Sequence, residues 1–193
     1  WYVVEDNIVW TVNSGVIPNE IYNYINYGFG YAEFKNTNNE LVQEIKTFIP
    51  QNESFKVNSI SLKNIANKLR NLKLLIYIKP VLGEDEILTN TNIEVCKKDN
   101  IIIAKNILRE DIYDKTFFVT SDLEISNFTG NKDIFLGKEG TRNPRALYEK
   151  LDGKNGLGKN SCIALELEIE LKPYENKEFA IILGEEKEEN IAK

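Results

Sequence analysis

The chain has 193 residues, of which 42% are hydrophobic and 28% charged, so it can bury a continuous core in one domain and is not a disordered polypeptide. Its formal net charge of -6 argues against a nucleic-acid surface, because phosphate binding needs clustered cations and the lysines here alternate with acidic residues. The absence of histidine removes the commonest general base, the commonest zinc ligand and any Ser-His or Cys-His nucleophile pair.

The cysteine and methionine contents lead to two further expectations. Cys96 and Cys162 are its two cysteines, which make neither a disulfide framework nor a metal cluster, so we expect a reducing compartment. Whether these two thiols pair cannot be read from their spacing. The sequence contains no methionine, and we therefore expect it to be a piece of a longer protein.

Strand patterns fill the first 82 residues. Residues 2–5 and 8–12 flank Asp6-Asn7, two residue types that tolerate left-handed backbone, and this arrangement predicts a starting hairpin. Four more segments rich in β-branched and aromatic residues follow between Asn- or Pro-bearing turns, at residues 28–36, 40–49, 54–65 and 69–82. Residues 82–92 predict a mobile excursion.

The second half continues the pattern with predicted strands at residues 100–106, 115–121, 161–172 and 177–184. The clearest alternation lies within 163–171. There the apolar set Ile163, Leu165, Leu167, Ile169 and Leu171 is predicted to face a core, and the intervening set Ala164, Glu166, Glu168 and Glu170 is predicted to face water. So many short strands without long helices predict an all-β protein with two packed antiparallel sheets.

Helical signals are few. Asn143-Pro144 precedes "RALYEKL", and proline suits a first helical position, so one short helix is predicted there. The acidic tail at 185–193 has almost no apolar face and predicts a truncated helix. The sequence thus predicts a β-sandwich domain over residues 1–184, followed by the start of a linker helix at 185–193.

Seven segments carry a family resemblance: "VW" (9–10), "YNYINYGFGYAEF" (22–34), "TFIP" (47–50), "VNSISLKN" (57–64), "LKLLIYIKPVLG" (72–83), "FLGKEGTRNPRALYEKLDG" (135–153) and "CIALELEIELKPYENKEFAIILG" (162–184). In their order and spacing they resemble the amino-terminal β-sandwich of inverting phosphorylases of the cellobiose phosphorylase type. They are most similar to the phosphorylase-like part of cyclic β-1,2-glucan synthases.

The resemblance implies a supersandwich fold, also found in galactose mutarotases, that is followed in complete enzymes by linker helices and a helical-barrel catalytic domain. It implies a parent glycosyltransferase or phosphorylase acting on β-glucans, which can be homodimeric and is cytoplasmic or the cytoplasmic part of a membrane-anchored synthase. The catalytic acid belongs to the barrel. This chain is therefore expected to be a non-catalytic module without cofactor or metal, serving packing, subunit contact and carbohydrate binding.

Two groups of candidate contact residues follow, each with two interpretations. Arg142, Arg145 and Tyr148 either extend from a glycine-hinged loop toward the barrel or a glucan, or only cover the sandwich while the arginines pair with surface acids. Tyr27 and Tyr31 belong to an aromatic cluster that either stacks on glucose rings or packs in the core, and alternation assigns Phe29 and Tyr31 to one core-facing side.

A free-standing carbohydrate-binding module is the alternative function, and the two readings differ in whether the reading frame continues beyond Lys193 into a helical, catalytic-acid-bearing segment. A complete sugar epimerase of the mutarotase type is disfavoured, because its ring-opening chemistry normally uses histidine. The glutamates of the 163–171 strand are interpreted as a solvated face, and the glycines at 28–30 and 153–158 as turns.

Overall fold

The computed structural model describes residues 1–11, 24–83, 92–108, 115–187 and 190–191. Most of the predicted excursion at 82–92, residues 22–23 of the segment "YNYINYGFGYAEF" and residues 188–189 and 192–193 of the predicted tail helix lie outside these ranges. Among the described residues, no helix is long and apolar enough to cross a membrane.

Fourteen strands make up most of the described chain: β1 Tyr2–Glu5, β2 Ile8–Thr11, β3 Tyr24–Gly28, β4 Tyr31–Asn38, β5 Leu41–Phe48, β6 Phe55–Asn64, β7 Arg70–Ile78, β8 Ile93–Lys98, β9 Ile101–Asn106, β10 Lys115–Ser121, β11 Asn127–Asn131, β12 Gly156–Leu157, β13 Ser161–Leu171 and β14 Asn176–Lys187. One short α-helix, α1, spans Lys132–Leu136. Single 3-10 turns lie at Gly140–Arg142, Arg145–Leu147 and Gly158–Asn160.

The strands form two antiparallel sheets. The smaller sheet has the order β11-β13-β7-β1-β2, and the larger sheet has the order β12-β8-β9-β10-β14-β6-β5-β4-β3. The predicted starting hairpin is present, since β1 pairs with β2 and Asp6 and Asn7 adopt φ values of 47° and 67°. The prediction of an all-β, two-sheet antiparallel sandwich is confirmed.

The main core lies between the two sheets. The five apolar residues that alternate along β13 are all buried, as predicted: Ile163, Leu165, Leu167, Ile169 and Leu171. They share one cluster with Ile60 and Leu62 of β6 and Phe179 and Ile181 of β14. Full burial of each such side chain contributes about 1.5–3 kcal/mol of transfer free energy, so this interface is the main source of stability.

The opposite face of β13 corrects the sequence prediction. Ala164 is fully buried and Glu166 is only 7% exposed, whereas Glu168 and Glu170 are exposed as predicted. The reason is tertiary, because a segment that follows β11 packs over this part of the smaller sheet and removes it from water.

The short helix lies earlier in the chain than predicted. The α-helix occupies 132–136, where Asn131 caps it by accepting a hydrogen bond from the Asp133 N–H. The predicted helix after Pro144 is a single 3-10 turn, Arg145–Leu147. The chain must then return to the sheet, where the Gly153 N–H donates to the Phe128 carbonyl, and this leaves no length for a longer helix.

Strands β3, β8, β11 and β12 were not predicted from the sequence, and two predicted boundaries differ in ways that affect the interpretation of the chain. Residues 185–187 are not the start of a helix, because β14 continues to Lys187 along β10, with Lys115 opposite Lys187. The predicted strand at 28–36 is broken by a turn at Phe29-Gly30, so Phe29 is fully exposed and not in the core. The interpretation of Gly28–Gly30 as a turn is therefore correct, and the core assignment of Phe29 is wrong.

We expect Leu167→Asp to destabilise the domain by more than about 3 kcal/mol, because it removes core packing and leaves an unpaired charge between the sheets. Chemical denaturation of the variant and of a Glu168→Asp control on the exposed side of the same strand measures the effect. An unfolding midpoint for Leu167→Asp equal to that of the control would contradict the assigned face.

Candidate functional site

The segment 132–151, which we call the lid, covers the outer face of the smaller sheet. Its apolar side chains pack on the sheet and form a second core with Tyr2, Leu75, Cys162 and Ala164; the lid residues are Phe135, Leu136, Ala146, Leu147 and Leu151. The Phe135 ring stacks on Tyr77 at a centroid distance of 5.1 Å and lies tilted against Tyr2 at 6.1 Å. The lid is therefore anchored by an apolar underside.

Polar side chains of the sheet also hold the lid backbone. The Tyr2 hydroxyl donates to the Thr141 carbonyl at 2.7 Å, and the Lys73 ammonium donates to the Ala146 carbonyl at 3.2 Å. The Asn127 amide donates to the Leu151 carbonyl at 2.9 Å. Because these contacts are spread along the lid, its outer surface is fixed by the fold before any partner arrives.

The chain leaves the lid through a close backbone crossing. The Gly130 N–H donates to the Lys154 carbonyl at 2.8 Å, and a Cβ built on Gly156 would lie 1.8 Å from the Gly130 oxygen. Only glycine fits there. The glycines around 153–158, interpreted from sequence as turns, thus also permit this contact between β11 and the returning chain.

A groove of about 490 Å³ opens on the solvent side of the lid. Leu136 and Gly137 line it together with a polar and aromatic set: Asp133, Lys138, Glu139, Asn143, Arg145 and Tyr148. The Tyr148 hydroxyl donates to Asn143 Oδ1 at 2.8 Å, and the Asn143 amide donates to Glu139. The groove therefore combines an apolar floor and an exposed aromatic ring with ordered hydrogen-bonding groups.

The two predicted arginines differ in position. Arg145 lines the groove, and its Nε lies 3.0 Å from Glu149 Oε2 in an exposed ion pair, as the structural interpretation of the loop predicted. Arg142 ends the 3-10 turn Gly140–Arg142 and is exposed, but it does not line the groove. Arg145 and Tyr148 therefore line one groove, and the contact role predicted for them and for Arg142 stays a prediction. The other polar lining residues were not among the predicted ones: Asp133, Lys138, Glu139 and Asn143.

Tyr27 and Tyr31 lie on the larger sheet, away from the lid, and on opposite faces of it because they stand opposite Ala32 and Gly28 respectively. Tyr31 is half-buried, its ring lies over Gly28, and the Lys46 ammonium sits 4.5 Å from the ring centroid. Tyr27 is 74% exposed at the sheet edge. The two tyrosines are therefore separate from the lid residues, and they do not share one surface with each other.

The titratable groups beneath the lid are structural in character. Burial raises the pKa of the Glu166 carboxyl above its usual value, while Lys73, with its ammonium 4.0 Å away, partly opposes the shift. Burial also raises the pKa of Tyr77 and that of the free thiol Cys162 to about 12. These groups lie under the lid, so they do not face the groove. No group of three or more potential metal ligands occurs within the described ranges.

Comparison with known proteins gives the family. The sequence matches the family model of the glycosyl hydrolase 94 supersandwich domain over residues 2–193. The chain belongs to this family. The supersandwich domain is 24% identical over 164 residues to the cyclic beta-(1,2)-glucan synthase NdvB of Rhizobium meliloti, covering 82% of this chain and 6% of that protein. It is 22% identical over 168 residues to the N,N'-diacetylchitobiose phosphorylase of Vibrio furnissii, covering 83% of this chain and 21% of that protein.

Solved structures support the fold of this supersandwich domain. A human-microbiome protein proposed to be a kojibiose phosphorylase superposes with a TM-score of 0.53 at 11% identity, over 98% of this chain and 22% of that one. A polysaccharide lyase superposes with a TM-score of 0.54 at 14% identity, over 96% of this chain and 25% of that one. The domain thus spans a quarter or less of each of these relatives.

The raised pKa of Glu166 gives a prediction with a definite sign. Between the unfolded and the folded pKa the native state binds the extra proton, so wild-type stability falls as pH rises through that window. Glu166→Gln removes this titration, and we expect its melting temperature relative to wild type to increase from acidic to neutral pH. Thermal unfolding as a function of pH tests it, with the exposed Glu168→Gln as control; a pH-independent difference for Glu166→Gln would contradict the burial of an ionisable Glu166.

Proposed function

We propose that this domain is a non-catalytic module of a larger carbohydrate-active enzyme, a glucan phosphorylase or cyclic glucan synthase, and that its lid contacts the catalytic domain of the same chain. The observation that carries the proposal is the construction of the lid. Its underside is anchored in the second core, while its outer side exposes Arg142 and presents Arg145 and Tyr148 at a preformed groove. A segment that only sealed the sheet would need the first feature and not the second.

The strand topology supports a contact on this side. The lid begins directly after Asn131, which pairs with Ser161, and Ile163 two residues on pairs with Ile78. Ile78 and Leu183 line the same cavity between the sheets. The lid and the last part of β14 therefore lie toward the same end of the sandwich.

The chemistry of the exposed groups suits either a protein or a sugar partner. The planar donor fork of arginine matches carboxylates and phosphate and can also donate to sugar hydroxyls. When such charged groups are buried at an interface, they contribute more to the specificity of binding than to its affinity. In the isolated domain, where they are exposed, they contribute little to stability. The relatives named above are a synthase and two phosphorylases of which this chain covers 6%, 21% and 22%, which supports a catalytic part outside it.

Carbohydrate binding by the lid is the second candidate, and it also covers a free-standing carbohydrate-binding module. It is favoured by the groove, where the exposed Tyr148 ring adjoins an apolar floor and hydrogen-bonding groups on Asn143 and Glu139. Binding of β-glucan oligosaccharides to the isolated chain that is lost in Tyr148→Ala would favour this candidate over a contact with protein alone. For the phosphorylase or synthase module the proposed setting is the cytoplasm or the cytoplasmic part of a membrane-anchored synthase, with a homodimeric parent enzyme. Neither candidate function uses a cofactor in this domain.

The central test is the double substitution Arg142→Ala with Arg145→Ala. In the isolated domain we expect a loss of less than about 1 kcal/mol, because one exposed ion pair is removed. In a longer protein that carries the domain we expect weaker turnover, oligosaccharide affinity or assembly. The matched control replaces Lys154 and Lys159, two exposed cations outside the lid, by Ala. If the arginine variant keeps wild-type turnover, affinity and assembly, the proposal is wrong and the lid only covers the sheet.

A second experiment addresses catalysis. The 193-residue chain alone should release no glucose 1-phosphate from cellobiose or β-1,2-glucan in the presence of phosphate. It has no histidine, and Glu166, whose pKa is raised, is shut beneath the lid. Release that persists through independent purifications would refute a non-catalytic role.

A further inference from the structure

A cavity separate from the lid groove lies between the two sheets, and the two share no lining residue. Its volume is about 440 Å³, which is within the range of small-molecule sites. Strands β4, β5, β6 and β14 of the larger sheet and β7 of the smaller sheet supply its lining. The apolar lining residues include Phe34, Ile45, Ile76, Ile78, Ile181 and Leu183. The cavity is therefore large enough and apolar enough to hold a small organic ligand.

The cavity has a buried end and an open end. Ile76 and Ile181 are fully buried, whereas Lys56 and Leu183 keep part of their surface exposed. Leu183 lies opposite Lys56, and Ile181 lies opposite the buried Asn58, so burial increases along these two strands from the Lys56 pair inward. A ligand can therefore enter beside Lys56 and place its apolar part against the deeper residues.

Lys56 is the one charged side chain among the described residues that line the cavity. It precedes Asn58 by two positions on β6, so both side chains project from the same face of the larger sheet. Within the described ranges, Lys56 makes neither an ion pair nor a hydrogen bond through its ammonium group. The open end of the cavity thus carries one positive charge that no acidic side chain of the described lining compensates.

The other polar groups of the lining already bond to protein atoms. The Thr47 hydroxyl donates to Asn58 Oδ1 at 2.8 Å, and the Asn58 amide donates to the Ile181 carbonyl at 3.3 Å. A sugar would have to bury several hydroxyl groups against apolar side chains, and buried hydroxyls without partners cost free energy. The lining therefore disfavours a carbohydrate and favours a ligand that is mostly apolar.

We propose that this cavity binds a small apolar carboxylate, an aryl or alkyl acid with one negative charge. Its apolar part packs between Phe34 and Ile181, and its carboxylate accepts a hydrogen bond from the Lys56 ammonium at the open end. Apolar surface around this contact lowers the local dielectric, so the ion pair is stronger there than on an open surface. The site is separate from the lid and does not depend on the function proposed for it.

Isothermal titration calorimetry on the 193-residue chain tests the site with naphthoate as the aryl probe and decanoate as the alkyl probe. We expect at least one of them to bind with a dissociation constant below about 1 mM, as a well-matched ligand of about a dozen non-hydrogen atoms does. Naphthylmethanol keeps the ring and lacks the charge, so it should bind about tenfold more weakly than naphthoate. Tighter binding of naphthoate or of decanoate identifies the aryl or the alkyl acid as the ligand class.

Two variants locate the ligand. Lys56→Gln should weaken carboxylate binding about tenfold and leave the affinity for naphthylmethanol unchanged, because only the charged contact is lost. Lys63→Gln is the matched control, since Lys63 is exposed on the same strand but on the opposite face. Ala32 also lines the cavity, so Ala32→Phe should fill the space and abolish binding of every probe. Thermal unfolding shows whether each variant is folded.

Three outcomes would overturn the proposal. The first is the absence of binding by both carboxylates at millimolar concentration. The second is an equal effect of Lys56→Gln and Lys63→Gln on carboxylate affinity, which decides the matter even if Ala32→Phe does not fold. The third is wild-type binding by a folded Ala32→Phe variant, because the ligand would then lie outside the cavity.

Discussion

The ladder between β7 and β13 is the constraint on which the other parts of this domain depend. It runs from Ile163 opposite Ile78 to Leu171 opposite Arg70, and it forms the centre of the smaller sheet. One face of the ladder builds the core against the larger sheet, and the other face supports the lid. The position of the lid groove is therefore set by the register of two strands that do not line it.

A buried ion pair joins the first hairpin to this ladder. Arg70 at the start of β7 donates through Nε to Glu5 Oε1 at 2.8 Å and through Nη2 to Glu5 Oε2, and Asn39 donates to the same carboxylate at 3.1 Å. Both charged side chains are almost fully buried. Such a pair adds little net stability compared with apolar packing, but loss of one partner leaves the other charge buried and unpaired. The pair therefore favours the one placement of β1 beside β7 in which both charges are matched.

A second polar chain crosses between the sheets. The Trp10 indole N–H donates to Gln43 at 3.0 Å, and the Gln43 amide donates to Asn36 at 2.7 Å. Apolar contacts between sheets tolerate some sliding, whereas these bonds are satisfied in one alignment only. Together with the ion pair they give the sandwich a defined register that hydrophobic burial would not supply by itself.

Local patterns predicted ten of the fourteen strands and the core side of β13, because the alternation of Ile163 through Leu171 is a property of adjacent residues. The strands β3, β8, β11 and β12 were not predicted. The burial of Glu166 was not predictable from the same pattern, since it depends on the lid, whose contacts come from residues elsewhere in the sequence. β14 continues through acidic residues to Lys187 because β10 offers a ladder there, and no local propensity indicates this. Of the candidate site, "RNPRALY" marked the exposed side of the lid, but the groove residues on α1 arise from packing of α1 against the 3-10 turn.

The strand order also constrains how the fold can be reached. Neighbouring strands β3 to β6 can form a meander early, but β6 is completed by β14, with Asn58 and the bonded carbonyl of Ile181 separated by 123 residues. Likewise, β7 obtains one of its two neighbouring strands only when β13 pairs with it. High contact order of this kind slows folding and leaves strand edges open in the meantime. A chain that ended before Ser161 would lose a central strand of each sheet. We therefore expect the whole domain to remain unfolded, and not merely to lose one edge of a sheet.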